Sequence, residues 1–176
     1  FETYLEFFQS SIPYHIKKRS RQNSQAFKEL IEAPGIQYDH RNKLSVIKDL
    51  NESDIKAYPN IAPQLFWGSN GLTIDTVNIY PLGGISNHST VYCNESGYWA
   101  IFQSDEHGFN NPKGLYDENK LDMVLVGDSF TQGACVNSDE NIGAVLRETG
   151  FNVISVGMDG NDIVLDFASL IEYAEL

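Results

Sequence analysis

The sequence predicts an α/β fold built on a parallel sheet, and three observations predict it. Residues 123–126, Met-Val-Leu-Val, form a short apolar run that stops at Gly127-Asp128-Ser129. An apolar run of that length closed by a turn signal reads as a buried parallel strand. Residues 151–156, Phe-Asn-Val-Ile-Ser-Val, are a second such run. Between them Ile142, Val145 and Leu146 make an apolar stripe at helical spacing, with Asn137 or Ser138 as its cap and Gly150 at its end. Residues 122–156 are thus strand, helix and strand at the length a parallel crossover needs.

The remaining elements follow in chain order. Residues 1–9 carry apolar side chains at 1, 4, 5 and 8, which is helical spacing. Ser24 caps a second expected helix, with Phe27, Leu30 and Ile31 on one face and Pro34-Gly35 ending it. Leu44, Ile47 and Leu50 suggest a third. From Asn51 onward prolines and glycines break the chain into loops and short strands. Residues 72–80 and 89–93 have β-type composition, and 98–104 is the best strand of this region, with a hairpin turn at 94–97 before it. After the turn at 157–162 a last helix should carry Val164, Phe167, Ala168 and Ile171 on one face. Residues 1–107 read as an irregular α+β leader of helices and short strands, and residues 108–176 as the parallel α/β part.

Composition narrows the function classes. An apolar fraction of 41% with 12% aromatics is that of a folded chain. Residues 1–50 hold 8 Lys/Arg against 6 Asp/Glu, while residues 51–176 hold 4 against 18. So acidic a field repels nucleic acid and anionic membranes. The basic run Lys17-Lys18-Arg19-Ser20-Arg21 is the exception and reads best as a solvated turn. No metal-ligand cluster, nucleotide fingerprint or other cofactor motif is present in the sequence. Asn-x-Ser triplets at Asn51, Asn87 and Asn94 are discounted as common by chance. Cys93 and Cys135 are the only cysteines; they pair if the protein is extracytoplasmic, and otherwise are two half-buried thiols. The chain opens at Phe1 without methionine and stops at Leu176 inside a helical pattern, which leads us to expect a piece of a longer protein, with room for a signal or membrane anchor upstream.

The candidate site lies at the carboxyl ends of the two strands, the edge where open α/β sheets bind ligands. Ser129 stands where a strand ends and a helix begins; Asp128 supports that turn, and Gly127 lets it be sharp. Two successive parallel strands bring both carboxyl ends to one edge, so Ser129 and the 157–162 loop should be neighbours. Glycine there can present a bare N–H to an anionic oxygen. Asp105 and His107 are the only nearby acid and imidazole that could serve as orienter and base, although a hydrogen-bonded loop is the favoured reading of 104–112.

Gly127-Asp128-Ser129-Phe130-Thr131-Gln132-Gly133 after an apolar strand resembles the first block of the SGNH (GDSL-type) hydrolases, in their Gly-Asp-Ser-Phe variant. Ser155-Val156-Gly157-Met158-Asp159-Gly160 resembles the second block, with Ser155 where Asn is common and Asp159 where Ser is common. Gly160-Asn161-Asp162 is not taken as the third block, because it lacks the intervening residue and follows the second strand. The resemblance covers about residues 108–176 and implies a three-layer, flavodoxin-like α/β sandwich, here truncated. It implies that Ser129 is the nucleophile of a serine esterase or O-acyl transfer enzyme, and that the N–H groups of Ser129 and Gly160 form part of an oxyanion hole. No Asp-x-x-His block follows Ser129 to supply the base; His15, His40, His88 and His107 all precede it. The leader resembles that of some bacterial relatives. The implied substrate is a small-molecule or glycan ester, an extracytoplasmic acetylated glycan being preferred.

Two other readings use the same residues. A non-catalytic module could hold an anion or glycan on the N–H groups of the two turns. Alternatively, a structural partner domain could dock through the first 110 residues, using aromatics such as Trp67, Tyr80 or Trp99.

Overall fold

The computed structural model describes residues 28, 29, 32–35, 37–69, 71–117 and 121–173. Two compact units divide the chain, Phe1–Tyr38 and Asp39–Leu176. In the first, Lys28 and Glu29 are helical and Pro34-Gly35 sit in a turn. The expected helix at 1–9, the basic run 17–21, and Ser24, Phe27, Leu30 and Ile31 lie outside the described residues. Position 108, where the sequence suggests the α/β part begins, falls inside the second unit.

The second unit mixes helices with three small sheets, one of them wholly parallel. Its first core forms around helix α1 (Lys43–Glu52). The Asn42 side chain caps this helix by accepting the Ser45 N–H. Val46 is its buried residue, and with Ile47 and Leu50 it packs on Ala57, Val91 and Trp99, while Leu44 is turned outward. Strand β1 (Ala57–Pro59) runs parallel to β4 (Ser89–Val91), which pairs antiparallel with β5 (Ile101–Gln103). Pro59 is tolerated because β1 is an edge strand. Between β1 and β4 lie a 3-10 helix (Pro63–Ser69) and the hairpin of β2 (Leu72–Ile74) and β3 (Val77–Ile79).

Asp105 organises the loop that leads to the second core. It is fully buried, and its carboxylate accepts the main-chain N–H groups of His107 (2.9 Å) and Phe109 (2.8 Å), Nδ2 of Asn111 (2.8 Å) and the Tyr116 hydroxyl (3.1 Å). Burial pushes its carboxyl above the usual range, and these four donors pull it back only in part. Phe109 then enters a cluster with Ile154, Val156, Met158 and Tyr173.

Strand β6 (Met123–Leu125) pairs parallel with β7 (Val153–Ser155), Val124 opposite Ile154. Three helices accompany them: α2 (Ser129–Gln132), α3 (Ile142–Glu148) and α4 (Ile163–Tyr173). Asn141 caps α3, rather than Asn137 or Ser138, by accepting the Ala144 N–H at 2.8 Å. The N–H of Asn137 is instead held by the Glu140 carboxylate. The buried residue of α3 is Gly143, so Ile142 and Val145 of the expected stripe remain exposed. On α4 the buried pair is Leu165 and Ser169, and the expected inner face of Val164, Phe167 and Ile171 points outward, each more than 60% exposed.

The two edges of the parallel pair differ. Along the outer edge of β7, Asn111 replaces a neighbouring strand: its Oδ1 accepts the Ser155 N–H and its Nδ2 donates to Ser155 O, both at 2.9 Å. Arg147 Nη1 donates to Val153 O at 2.8 Å. Side-chain filling of this kind blocks further pairing at a sheet edge. The other edge, along β6, has no strand beside it among the described residues.

Cys93 and Cys135 form a disulfide that ties the end of β4 to the turn after α2. It closes a loop of sequence separation 42, for which chain entropy gives about 4 kcal/mol. Urea unfolding of the Cys93→Ser/Cys135→Ser double variant is expected to show a loss of that order. Asp105→Ala, which removes the shared acceptor of four donors, two of them buried, should cost about 3 kcal/mol in the same measurement.

Candidate functional site

The site is built where β6 and β7 end. The parallel ladder runs past both strands: Val156 N–H donates to Leu125 O at 2.9 Å, and Met158 N–H to Gly127 O at 3.1 Å. The turn that carries Ser129 therefore lies beside the loop that carries Gly160. Asp128 caps α2, its Oδ1 accepting the Phe130 N–H at 3.0 Å, and Gly133 closes that helix at φ 86°. Thr131 fits between Gly127 and Gly157: a Cβ at either glycine would run into its side chain. That is why both turns need glycine here.

Gln132, 1% exposed, locks the arrangement. Its Oε1 accepts the Asp159 N–H at 2.8 Å, and its Nε2 donates to Asn60 Oδ1 at 2.8 Å. Its main-chain carbonyl accepts from Asn110 Nδ2 at 2.9 Å. One buried amide thus joins three loops, after β1, β6 and β7. Gly160 is in the left-handed region at φ 75°, and the Gln64 side-chain amide occupies the space a Cβ would need.

Ser129 is half-buried, and neither its hydroxyl nor its main-chain N–H has an acceptor among the described residues. Gly160 N–H likewise has none. No hydrogen bond joins Ser129 to a histidine among the described residues. Asp105 takes the main-chain N–H of His107, not its ring, and that ring packs against Tyr116 and Tyr173 with centroids 4.6 and 5.0 Å away. The Asp105–His107 pair is therefore a loop-forming contact.

The rim is charged on one side. Burial pushes the Asp159 carboxyl up, Lys43 opposes the shift, and Asp128 adds to it. Burial lowers the Lys43 ammonium, with Asp159 opposing. The Tyr92 phenol is pushed up by burial and by the fields of Asp159, Asp128 and Glu95, and its buried hydroxyl has no partner among the described residues. Lys43, Asn60, Gln64 and Tyr92 all come from the region before residue 108. Nothing in local sequence flags them, whereas Gln132 stands inside the Gly-Asp-Ser motif.

Among the described residues no three His, Cys, Asp or Glu side chains are grouped to hold a metal ion. Nor is any helix there long and apolar enough to cross a membrane. No protein-family model, curated protein or solved structure matches the chain.

Gln132→Leu would leave the Asp159 N–H and the Asn60 amide unpaired. The expected cost is about 2 kcal/mol in denaturant unfolding, with faster hydrogen exchange at Asp159. Unchanged exchange at Asp159 would mean that Gln132 does not hold the second loop.

Proposed function

We propose that this chain carries the nucleophile and part of the oxyanion hole of an SGNH-type serine esterase or O-acyl transfer enzyme. The carrying observation is the juxtaposition, through the Gly127–Met158 bond, of a serine whose hydroxyl is uncommitted with a loop whose glycine N–H is uncommitted. In the proposed reaction a base removes the Ser129 proton as Oγ attacks an ester carbonyl. The N–H groups of Ser129 and Gly160 hold the oxyanion. The alcohol leaves with a proton, and water or an acceptor hydroxyl then takes the acyl group from Ser129. Asp128 acts through the turn, and Gln132 keeps the two loops in register.

The base is proposed to come from further chain that also extends the sheet. The outer edge of β7 is filled by Asn111 and Arg147, while that of β6 has no strand beside it among the described residues. Helix α2 packs on the Ser155 and Gly157 side of the sheet, and Tyr173 of α4 on the Ile154 and Val156 side. A right-handed crossover from β7 through α4 would set another parallel strand beside β6, the arrangement of a three-layer sandwich. Such a strand and its helix would cover the exposed face of α4. The disulfide favours an oxidising, extracytoplasmic setting, and an acetylated glycan remains the preferred ester.

A second reading has one observation in its favour: Ser129 touches no base among the described residues. The same N–H groups would then simply bind a carboxylate or phosphate.

A longer chain that includes an Asp-x-x-His block should hydrolyse 4-nitrophenyl acetate, and Ser129→Ala should lower kcat by about 10³-fold or more. The 176-residue chain alone should turn over little or no ester. Hydrolysis by the longer chain that survives Ser129→Ala would overturn the nucleophile. Acetate binding without turnover in both chains would favour the binding module.

A further inference from the structure

The hairpin of β2 and β3 has two unlike faces. Its register sets Leu72 opposite Ile79, Thr73 opposite Asn78 and Ile74 opposite Val77. Side chains alternate across a strand, so Leu72, Ile74, Val77 and Ile79 share one face, and Thr73 and Asn78 the other. The polar face is satisfied within the hairpin, where Thr73 Oγ1 donates to Asn78 Oδ1 at 2.9 Å. The four aliphatic side chains of the other face are between 42% and 60% exposed. That departs from the usual antiparallel sheet, whose apolar face is the one packed on a core. Two strands of three residues are marginal in water unless such a face is covered.

Charge narrows what can cover it. The chain has a net charge of −12 and 20% of its residues are charged, yet residues 57–94 hold one Asp, Glu, Lys or Arg, which is Asp75 at the hairpin turn. Depletion of charge marks the core of an interface. A charged partner finds nothing to pair with on this face. Lipid-binding faces are rimmed by Lys and Arg, and residues 57–94 contain neither. The same face on another copy is equally uncharged, and two strongly acidic chains repel least where neither carries charge. The face is also self-complementary. Both of its cross-strand pairs are aliphatic, so a two-fold axis crossing the strands sets Ile74 and Val77 of one copy over Leu72 and Ile79 of the other. That axis sends the two Asp75 turns to opposite ends of the contact. Sheet faces pack on one another at a spacing of about 10 Å.

We propose that this chain self-associates through the β2–β3 hairpin, the faces formed by Leu72, Ile74, Val77 and Ile79 of two copies packing together about a two-fold axis. The exposed parts of the four side chains come to roughly 400 Å² per copy, about 800 Å² for the pair, which is the range of weak and transient contacts.

Sedimentation velocity of the 176-residue chain should show a reversible monomer–dimer equilibrium with a Kd of about 10⁻⁴ M. Ile74→Lys and Val77→Lys, both at exposed positions, should leave the thermal unfolding of dilute protein unchanged. Each should raise the Kd about tenfold or more, because it buries an ammonium in an apolar contact. Phe167→Lys, on the exposed face of α4, should not change it. Leu72→Glu alone should weaken pairing, but mixed with Ile74→Lys it should bring association back towards that of the parent, since the two-fold sets those positions against each other. A parent that stays monomeric, a dimer that survives either lysine variant or is broken by Phe167→Lys, or a mixture that fails to pair would each overturn the proposal. So would co-sedimentation of the parent, but not of Ile74→Lys, with phosphatidylcholine vesicles, which would assign the face to a lipid surface.

Discussion

The parallel register of β6 and β7 is the constraint on which the rest of the candidate site depends. Side chains in a parallel pair cannot slip by one residue without exchanging faces. Here the pairing Val124 with Ile154 puts both into the core around Phe109. The same register lifts Gly127 and Met158 to one level, where they share a hydrogen bond. Thr131 can fill the space between the two turns only because Gly127 and Gly157 lack a Cβ. A slip would break the Gln132 contacts as well, since Gln132 reaches Asp159 and Asn60 from a fixed point on α2.

The loop around Asp105 sets where that pair sits. Asp105 holds Asn111 by one amide hydrogen, and Asn111 in turn pairs with both main-chain groups of Ser155. The buried charge is therefore coupled to the edge of β7 through one side chain. Four donors on one carboxylate leave little freedom in this loop. Gly108, at φ 91°, lies so close to Gly84 that a side chain could not be accommodated. The polar run that the sequence marks as a hydrogen-bonded loop is one, and it is largely interior.

Much of this was legible in the sequence. The two apolar runs became β6 and β7, the Gly-Asp-Ser turn capped a helix, and the hairpin over 89–103 formed where composition suggested, while the β-type stretch 72–80 folded back on itself into two strands instead of one. What stayed hidden has physical reasons. Asn137 and Ser138 are as good caps as Asn141, and only the direction of the chain entering α3 decides among them. The apolar residues of α4 signal a helix, but periodicity cannot say which face has a neighbour; Leu165 and Ser169 are the buried residues here, and Val164, Phe167 and Ile171 are exposed. Pairing of the cysteines depended on the segments after β4 and α2 bringing the Cys93 and Cys135 Cα atoms to 5.1 Å, which no local pattern encodes. Asn60 reaches Gln132 across 72 positions and was invisible for the same reason.

These long-range contacts bear on where a ligand of Ser129 would find its specificity. The serine and the glycine belong to the parallel pair, but the groups above them do not. Gln64 covers Gly160, Asn60 holds Gln132, and Lys43 acts on the charge of Asp159. All three come from the first half of the second unit, Lys43 from the start of α1, Asn60 from just after β1 and Gln64 from the 3-10 helix, and the disulfide fastens the segment after β4 to the turn after α2. Two clusters joined by a covalent link and a buried amide hold their seam more tightly than either loop would hold itself. The Ser129 turn can therefore be supplied by a common strand–turn–helix device. Selection among ligands would fall to the residues that this chain brings from its first half.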